Sequence, residues 1–125
     1  MQMKGRQYAI IILVLTTALL HFGAAMDRRI FADGPDPLFT LNGLGYLGLL
    51  GAYLLPIGFL QRRRLLVWRA LYAYTIVTIV AWIVIYVGLM VIRDGHPFLG
   101  IDAIYGIPAK IVELVLLYVL QRDKP

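Results

Sequence analysis

Residues 65–92 have the sequence LLVWRALYAYTIVTIVAWIVIYVGLMVI, in which Arg69 is the single charged side chain. The hydrocarbon core of a bilayer is about 30 Å thick, and an α-helix needs about 20 apolar residues to cross it. A helix also satisfies its own backbone hydrogen bonds where there is no water. This stretch therefore predicts a membrane-spanning helix rather than part of a water-soluble domain.

Three further apolar stretches are long enough to cross a bilayer: residues 8–26, 38–60 and 98–120. Turn-forming residues fill the links at residues 33–37 and 94–97. Short links make consecutive helices antiparallel neighbours. We therefore predict an all-α fold, a membrane-spanning four-helix up-down-up-down bundle.

The composition agrees with this prediction. Hydrophobic residues make up 61% of the 125 residues, and charged residues make up 15%. Such a balance is typical of an integral membrane protein. There is no low-complexity tract and no soluble module, so we predict one transmembrane domain over residues 1–125.

The charged residues are divided unequally between the two sides of this bundle. Cytoplasmic flanks of membrane helices are enriched in Lys and Arg. One side holds eight cations and one acid, Asp123, whereas the other holds three cations and five acids. We therefore predict that both termini are cytoplasmic and that the protein is integral to the cell (plasma) membrane. The eight cations are Lys4, Arg6, Arg62, Arg63, Arg64, Arg69, Arg122 and Lys124.

The chain contains no cysteine, which excludes disulfide exchange and thiolate metal sites. Residues 8–26 also fit a signal peptide, because Lys4 and Arg6 precede a short apolar run and residues 23–25 are small. Cleavage there would leave three spans. The intact mass of the mature protein distinguishes the two cases.

Residues 98–120 carry a polar face. Asp102, Tyr105, Lys110 and Glu113 fall within about 140° of one another on a helix. Lys110 lies about 18 Å from the start of the stretch, near the bilayer midplane. A charge there costs about 2.5 to 3.5 kcal/mol, so it needs a partner, and Glu113 at i+3 supplies one. Pro108 lies between the charged positions and predicts a helix kink.

The other stretches carry polar side chains at similar depth. Thr17 and His21 are i,i+4 neighbours, and each of the two middle stretches has a polar face. If these faces converge, they form a polar cavity that is biased toward the outer side. The candidate cavity residues are His21, Asn42, Tyr46, Trp82, Tyr86, Asp102, Tyr105, Lys110 and Glu113.

Three of these features have simpler explanations. A Lys110–Glu113 pair also fits a structural ion pair that fixes the rotation of its helix. His21 also fits a hydrogen-bonded packing residue. Tyr86 fits the aromatic belt that is usual at a membrane interface.

Glycines are dense in residues 38–60. Small residues allow the backbones of membrane helices to approach closely. We therefore predict that Gly45, Gly48 and Gly51 pack against neighbouring helices and that this helix is central. The alternative is that membrane helices merely tolerate glycine, since the spacing is not a regular G-x-x-x-G.

Cofactor and catalytic sites are weakly supported. A haem held between helices needs two facing histidines, and His21 is the one histidine within a span. One histidine with scattered carboxylates does not predict a metal site. A Schiff-base lysine would need a destabilised ammonium, which Glu113 opposes at Lys110. We predict no metal, name no cofactor and do not expect an enzyme.

Several short motifs resemble those of a known class of proteins. They are Leu20-His21-Phe22-Gly23, Pro37-Leu38-Phe39, Asn42-Gly43-Leu44-Gly45-Tyr46 and Lys110-Ile111-Val112-Glu113. With these motifs the chain resembles small prokaryotic four-span membrane proteins classed as domains of unknown function. The resemblance implies an integral membrane protein and brings no reaction with it.

Two functions fit these features. The first is a non-catalytic accessory or assembly subunit, present as a homo-oligomer or in a larger membrane complex. The second is a pathway for a small ligand, ion or proton through the polar cavity to the Lys110–Glu113 pair. The lipid bilayer is the expected partner. Nucleic acid is not, because orientation in the membrane already accounts for the basic residues.

Overall fold

The computed structural model describes residues 4–30, 32–88 and 103–125, except for the side chains of residues 86, 87 and 103. Within these ranges the chain is all-helical and has no strand. A π-helical turn, Ile83–Gly88, follows the fourth helix directly. The α-helices are α1 (Gly5–Met26), α2 (Pro37–Leu54), α3 (Gly58–Arg62), α4 (Arg64–Trp82) and α5 (Ala103–Arg122).

Among the described residues, three helices are long and apolar enough to cross a membrane. They cover Gly5–Met26, Arg64–Ile85 and Ile104–Arg122, with mean hydropathies of 2.2, 1.6 and 1.5. The 18-residue helix α2 is not among them, because its glycines and Asn42 lower its hydropathy. The structure therefore confirms three helices with the length and composition that crossing a membrane requires.

Many large apolar side chains of these helices face outward, and several polar ones are buried. Leu19, Val77 and Leu114 are more than half exposed, whereas Thr17 and Glu113 are completely buried. A water-soluble domain shows the opposite distribution. The outer faces of α1, α4 and α5 therefore suit contact with lipid chains.

Helix α1 packs against α2 and α5, and α4 contacts the same two helices. Where the four meet, apolar side chains from each helix form a closely packed core. We call this group the apolar core. Its main members are Ile10, Val14, Leu50, Leu71, Leu116 and Leu120.

The predicted stretch of residues 38–60 is divided in the structure. Helix α2 ends at Leu54, and Leu55 adopts an extended conformation, φ −63° and ψ 130°. Proline removes a helical N–H and disfavours the helical conformation of the residue before it, so Pro56 stops the helix here. The short helix α3 follows and leads into α4.

The loop between α1 and α2 folds back onto the end of α1. Gly34 adopts a positive φ of 114°, which glycine allows without steric strain. The backbone N–H of Asp36 donates to the carbonyl of Ala25 over 3.0 Å. Asp36 also caps α2, since its carboxylate accepts from the N–H of Phe39, and Pro37 takes the first helical position.

Close approaches between helices fall on specific glycines. A Cβ added at Gly43 would lie 2.8 Å from the Phe22 ring, and one added at Gly45 would overlap the Tyr74 hydroxyl. At Gly48 and Gly51 an added Cβ would meet nothing within 4 Å. Of the three glycines predicted to pack, the structure therefore gives a close contact to Gly45 and open space to Gly48 and Gly51.

Candidate functional site

A buried carboxylate, Glu113, lies where α1 meets α5. Its side chain has no exposed surface. Glu113 Oε1 accepts a hydrogen bond from Thr17 Oγ1 over 2.9 Å, and Oε2 accepts one from Lys110 Nζ over 2.8 Å. An unpaired carboxylate would be very costly at this depth, so these two donors are what allow it to be buried.

His21 completes this arrangement from α1. Its Nδ1 lies 2.7 Å from the backbone carbonyl of Thr17. A carbonyl oxygen can only accept, so Nδ1 carries the proton and Nε2 is an acceptor in the neutral ring. His21 Nε2 lies 3.7 Å from Glu113 Oε1, beyond hydrogen-bond distance. We call Thr17, His21, Lys110 and Glu113 the Glu113 cluster.

Lys110 is the member of this cluster that reaches open space. About a tenth of its side chain is exposed, and its Nζ lies 5.8 Å from the centre of the Trp82 ring. An ammonium over an aromatic face is stabilised by the ring quadrupole. Of its three N–H donors, one is used by Glu113, its single hydrogen-bond acceptor among the described residues. The charges of Lys110 and Glu113 cancel, so the cluster is neutral overall.

Two adjoining cavities border the cluster. The first lies between α1 and α5 and is narrow, with a volume of about 30 Å³. The second lies between α2 and α4 and has a volume of about 310 Å³. Both are walled mainly by apolar side chains, and the second has the size of a site for a small molecule. Four residues line both cavities: His21, Phe39, Trp82 and Lys110.

The apolar core lies on the other side of Glu113 from these cavities. Val14, Leu71 and Leu116 each lie about one helical turn beyond the buried polar residues of their helix, and all three are completely buried. Glu113 therefore lies between the cavity-lining residues and the apolar core.

Tyr46 packs beside the Glu113 cluster and lines neither cavity. It is completely buried, and its ring centre lies 5.8 Å from that of His21 and 4.9 Å from that of Tyr74. Its hydroxyl has no hydrogen-bond partner among the described residues. An unpaired buried hydroxyl costs about 1–3 kcal/mol. Tyr46 is therefore a polar group whose hydrogen bonding is incomplete.

Asn42 lines the second cavity and joins α2 to α4. Its side-chain oxygen accepts from the Thr78 hydroxyl over 3.4 Å, and its backbone carbonyl accepts from the Tyr74 hydroxyl over 2.9 Å. These bonds hold one wall of the cavity in position.

Tyr105 lies at the mouth of the first cavity. Its hydroxyl donates to Asp27 Oδ2 over 2.7 Å, and the Arg29 guanidinium binds the same carboxylate in two places. Hydrogen bonds from Arg29, then from Tyr105, hold the pKa of Asp27 well below its usual range. Asp27 in turn raises the pKa of Arg29. This group ties the start of α5 to the end of α1.

The structure thus brings together most of the cavity residues that the sequence predicts. His21, Lys110 and Glu113 are in one cluster, Trp82 is beside it, and Asn42 and Tyr105 line the cavities. Asp102 and the side chain of Tyr86 lie outside the described residues. Pro108 lies within α5, whose helical geometry continues on both sides of it.

Sequence reasoning missed two contacts of the site. It paired Thr17 with His21 but did not place the Thr17 hydroxyl on Glu113, because that contact depends on how α1 and α5 are rotated. It also assigned Asp27 and Arg29 only to a charged flank. The signal that could have found them is the short Asp-x-Arg spacing next to a helix end.

No group of three His, Cys, Asp or Glu side chains suited to a metal ion occurs in the described part of the chain. The partners available near Glu113 are an ammonium, a hydroxyl and one imidazole, a set that suits hydrogen bonding to an oxygen-containing molecule.

Comparison of the chain with known proteins finds no matching family model, no matching curated protein and no matching solved structure. A function for the site therefore has to be argued from its own geometry.

Proposed function

We propose that this chain is a non-catalytic four-span membrane protein that binds a small, uncharged, apolar molecule through one hydrogen-bond-accepting oxygen. The observation that carries this proposal is the shared wall of the two cavities, where Lys110 and His21 stand among apolar side chains. Lys110 has N–H donors that Glu113 does not use, and the negative charge of Glu113 already balances the positive charge of Lys110. A neutral carbonyl or hydroxyl group therefore fits better than a charged one.

The proposed topology is an up-down-up-down bundle in the cell membrane with both termini in the cytoplasm. Contacts between helix ends support it. Arg6 at the start of α1 lies 3.6 Å from Asp123 beyond the end of α5, and Asp27 beyond the end of α1 accepts from Tyr105 near the start of α5. The excess of Lys and Arg on one side supports the orientation.

A binding site is favoured over a continuous pathway by the apolar core. A proton or ion that reached Glu113 from the cavities would have to pass the completely buried apolar side chains of Val14, Leu71 and Leu116 to go further. The cavities reach His21 and Lys110 but not these core residues, which suits binding and release from the same side.

A second candidate function is an accessory subunit of a homo-oligomer or a larger complex. The complete burial of Glu113 favours it. The Glu113 carboxylate is paired with Lys110 within α5 and also accepts a hydrogen bond from Thr17 of α1, so it suits a structural cross-link between the two helices. In this case the Lys110–Glu113 pair would set helix packing, and the cavities would have no specific occupant.

Tryptophan fluorescence can distinguish the two candidates, because the chain has two tryptophans and one of them, Trp82, lines both cavities. In a Trp68→Phe variant reconstituted into lipid vesicles, Trp82 is the one reporter. The probes are para-bromobenzophenone and para-bromodiphenylmethane, which have nearly the same shape but differ by a carbonyl oxygen. Bromine quenches an indole that it touches.

We expect the ketone to quench Trp82 saturably and at lower concentration than the hydrocarbon. The double variant Lys110→Met/Glu113→Leu, which has no buried charge, should lose this preference for the ketone. A Trp82→Phe variant, in which Trp68 reports, is the control for general partition into lipid. Equal, unsaturable quenching of both tryptophans by both probes would contradict a binding site and favour the accessory subunit.

A further inference from the structure

A separate pocket lies at the opposite end of the molecule, where the start of α1, the start of α4 and the end of α5 meet. Its volume is about 230 Å³. Four of its lining side chains are cationic and one, Asp123, is acidic. We call it the cationic pocket. The four cations are Lys4, Arg6, Arg64 and Lys124.

The one acid in this pocket is already engaged. The Tyr53 hydroxyl donates to Asp123 Oδ2 by a short hydrogen bond, and Arg6 Nε lies 3.6 Å from Asp123 Oδ1. Asp123 is buried, with 8% of its surface exposed. The remaining cations therefore face the pocket with little internal neutralisation.

Arg64 lines this pocket, and one of its donors has no partner within the described part of the chain. Its Nε is buried and has no hydrogen-bond partner among the described residues, while its guanidinium carbon lies 5.5 Å from the centre of the Tyr53 ring. Stacking over the ring holds the guanidinium in place. A buried N–H without an acceptor is costly, and guanidinium groups bind phosphate oxygens particularly well.

Arg64 also lines a second, neighbouring pocket. This pocket has a volume of about 220 Å³ and lies beside the break between α2 and α3. Its walls are polar and apolar in about equal measure. A charged pocket and a partly apolar one that share Arg64 match the two parts of a phospholipid, the phosphate and the glycerol with its acyl chains. The apolar residues are Ala52, Leu54, Leu55 and Leu60.

We infer that the cationic pocket binds the phosphate of an anionic phospholipid, with Arg64 as the central phosphate ligand and the neighbouring, partly apolar pocket against the lipid's glycerol and acyl region. This site is distinct from the ligand site beside Lys110. Basic pockets between membrane helices on the cytoplasmic side suit such head groups. A free phosphate offers the same oxygens, but it would leave the partly apolar pocket unused.

Native mass spectrometry of the full chain tests this inference. The protein is reconstituted with phosphatidylcholine and phosphatidylglycerol, released gently, and its retained lipids are counted. The chain offers a matched control pair, since Arg63 is adjacent to Arg64, has the same charge and lies outside the pocket. Arg64→Gln should lower the retained phosphatidylglycerol about fivefold relative to phosphatidylcholine, whereas Arg63→Gln should leave it unchanged.

Two further variants test the inference without a substitution at Arg64. Lys124→Gln removes an exposed cation of the same pocket, near the Trp68 ring, and it should also weaken retention. A Trp82→Phe variant, in which Trp68 is the one reporter, should change its emission when phosphatidylglycerol is added but not when phosphatidylcholine is added.

The outcomes separate a lipid site from its alternatives. Equal losses in Arg63→Gln and Arg64→Gln would show only a diffuse attraction to anionic lipid and would overturn the inference, as would no loss in either. Displacement of the retained lipid by inorganic phosphate at millimolar concentration would assign the pocket to a soluble anion instead. Retention through such a phosphate wash, with loss in Arg64→Gln alone, is the predicted result.

Discussion

The middle and the C-terminal end of α5 each hold a buried carboxylate, but they enclose it to different degrees. Glu113 has no exposed surface, and its partner Lys110 has a side chain that is 10% exposed. Asp123, just beyond the end of α5, is similarly buried, but its partner Arg6 has a side chain that is 48% exposed. The first pair is shielded from solvent except where Lys110 meets the cavities. The second is shielded on one side only.

This difference decides what each pair can do. Coulomb interactions strengthen where water is excluded, and so does the penalty for an unpaired charge. An exposed pair is screened by water and salt and contributes little. We therefore expect the Lys110–Glu113 pair to dominate stability and the Arg6–Asp123 pair to contribute mainly to the charge of its surface.

The largest expected effect comes from removing one member of the buried pair. Glu113→Leu leaves the Lys110 ammonium unpaired and should destabilise the fold by about 3–5 kcal/mol. The double variant Lys110→Met/Glu113→Leu should be far less damaging, because it removes both charges together. The free energy of unfolding in detergent micelles, from a denaturant titration, measures both. A double variant as unstable as Glu113→Leu would contradict the interpretation of a buried ion pair.

The next largest effect on stability is expected at one of two glycines of α2. Gly45→Ala should destabilise the fold by about 1–3 kcal/mol, because the new Cβ overlaps the Tyr74 hydroxyl and forces helix α4 or its side chains to move. Gly48→Ala is the matched control on the same helix, where an added Cβ meets nothing. It should be neutral or stabilise by about 0.5–1 kcal/mol. Thermal unfolding of both variants tests this, and equal effects would show that the two positions pack alike.

A smaller effect is expected for the exposed pair. Arg6→Gln should cost about 1 kcal/mol or less, because Arg6 is half exposed and its ion pair with Asp123 is screened. The difference from the unmodified protein should shrink further in high salt. A loss comparable to that of Glu113→Leu would show that the two ion pairs are enclosed equally.

The smallest effect concerns acid stability at the mouth of the first cavity. The folded-state pKa of Asp27 is lowered by Arg29 and Tyr105. Its carboxylate therefore stabilises the fold above the unfolded-state pKa of about 3.9, and this contribution is lost as the pH falls toward the lowered folded-state value. Asp27→Asn should lower the melting temperature at neutral pH. The difference in melting temperature between this variant and the unmodified protein should become smaller below a pH of about 4. A difference that does not change with pH would contradict the role of the Asp27 charge.

The helical class and three of the membrane-capable segments could be predicted from the sequence, because apolar stretches of this length have few other stable structures. The end of α2 was missed even though Pro56 marks it. The stretch was identified by its many apolar residues, and one proline among them changes that count very little. The Lys110–Glu113 contact could be predicted because an i,i+3 pair lies within one helix and needs no tertiary information.

Contacts between helices were harder to predict. Apolar helices carry few polar positions from which their rotation can be inferred, so the bond from Thr17 to Glu113 had no sequence signal. For the same reason the sequence does not distinguish Gly45, which faces Tyr74, from Gly48, which faces open space. Both glycines satisfy the same small-residue pattern.

The central claim is that the cavities beside Lys110 open toward the outer side and do not extend into the apolar core. Because the chain has no cysteine, single cysteines can be introduced at Asn42 in the second cavity, at Leu50 in the apolar core and at Lys124 on the opposite surface. A membrane-impermeant thiol reagent is then added from each side of oriented vesicles. We predict labelling of Asn42→Cys from the outer side alone, of Lys124→Cys from the cytoplasmic side alone, and of Leu50→Cys from neither. Labelling of Asn42→Cys from the cytoplasmic side, or of Leu50→Cys from either side, would contradict the account.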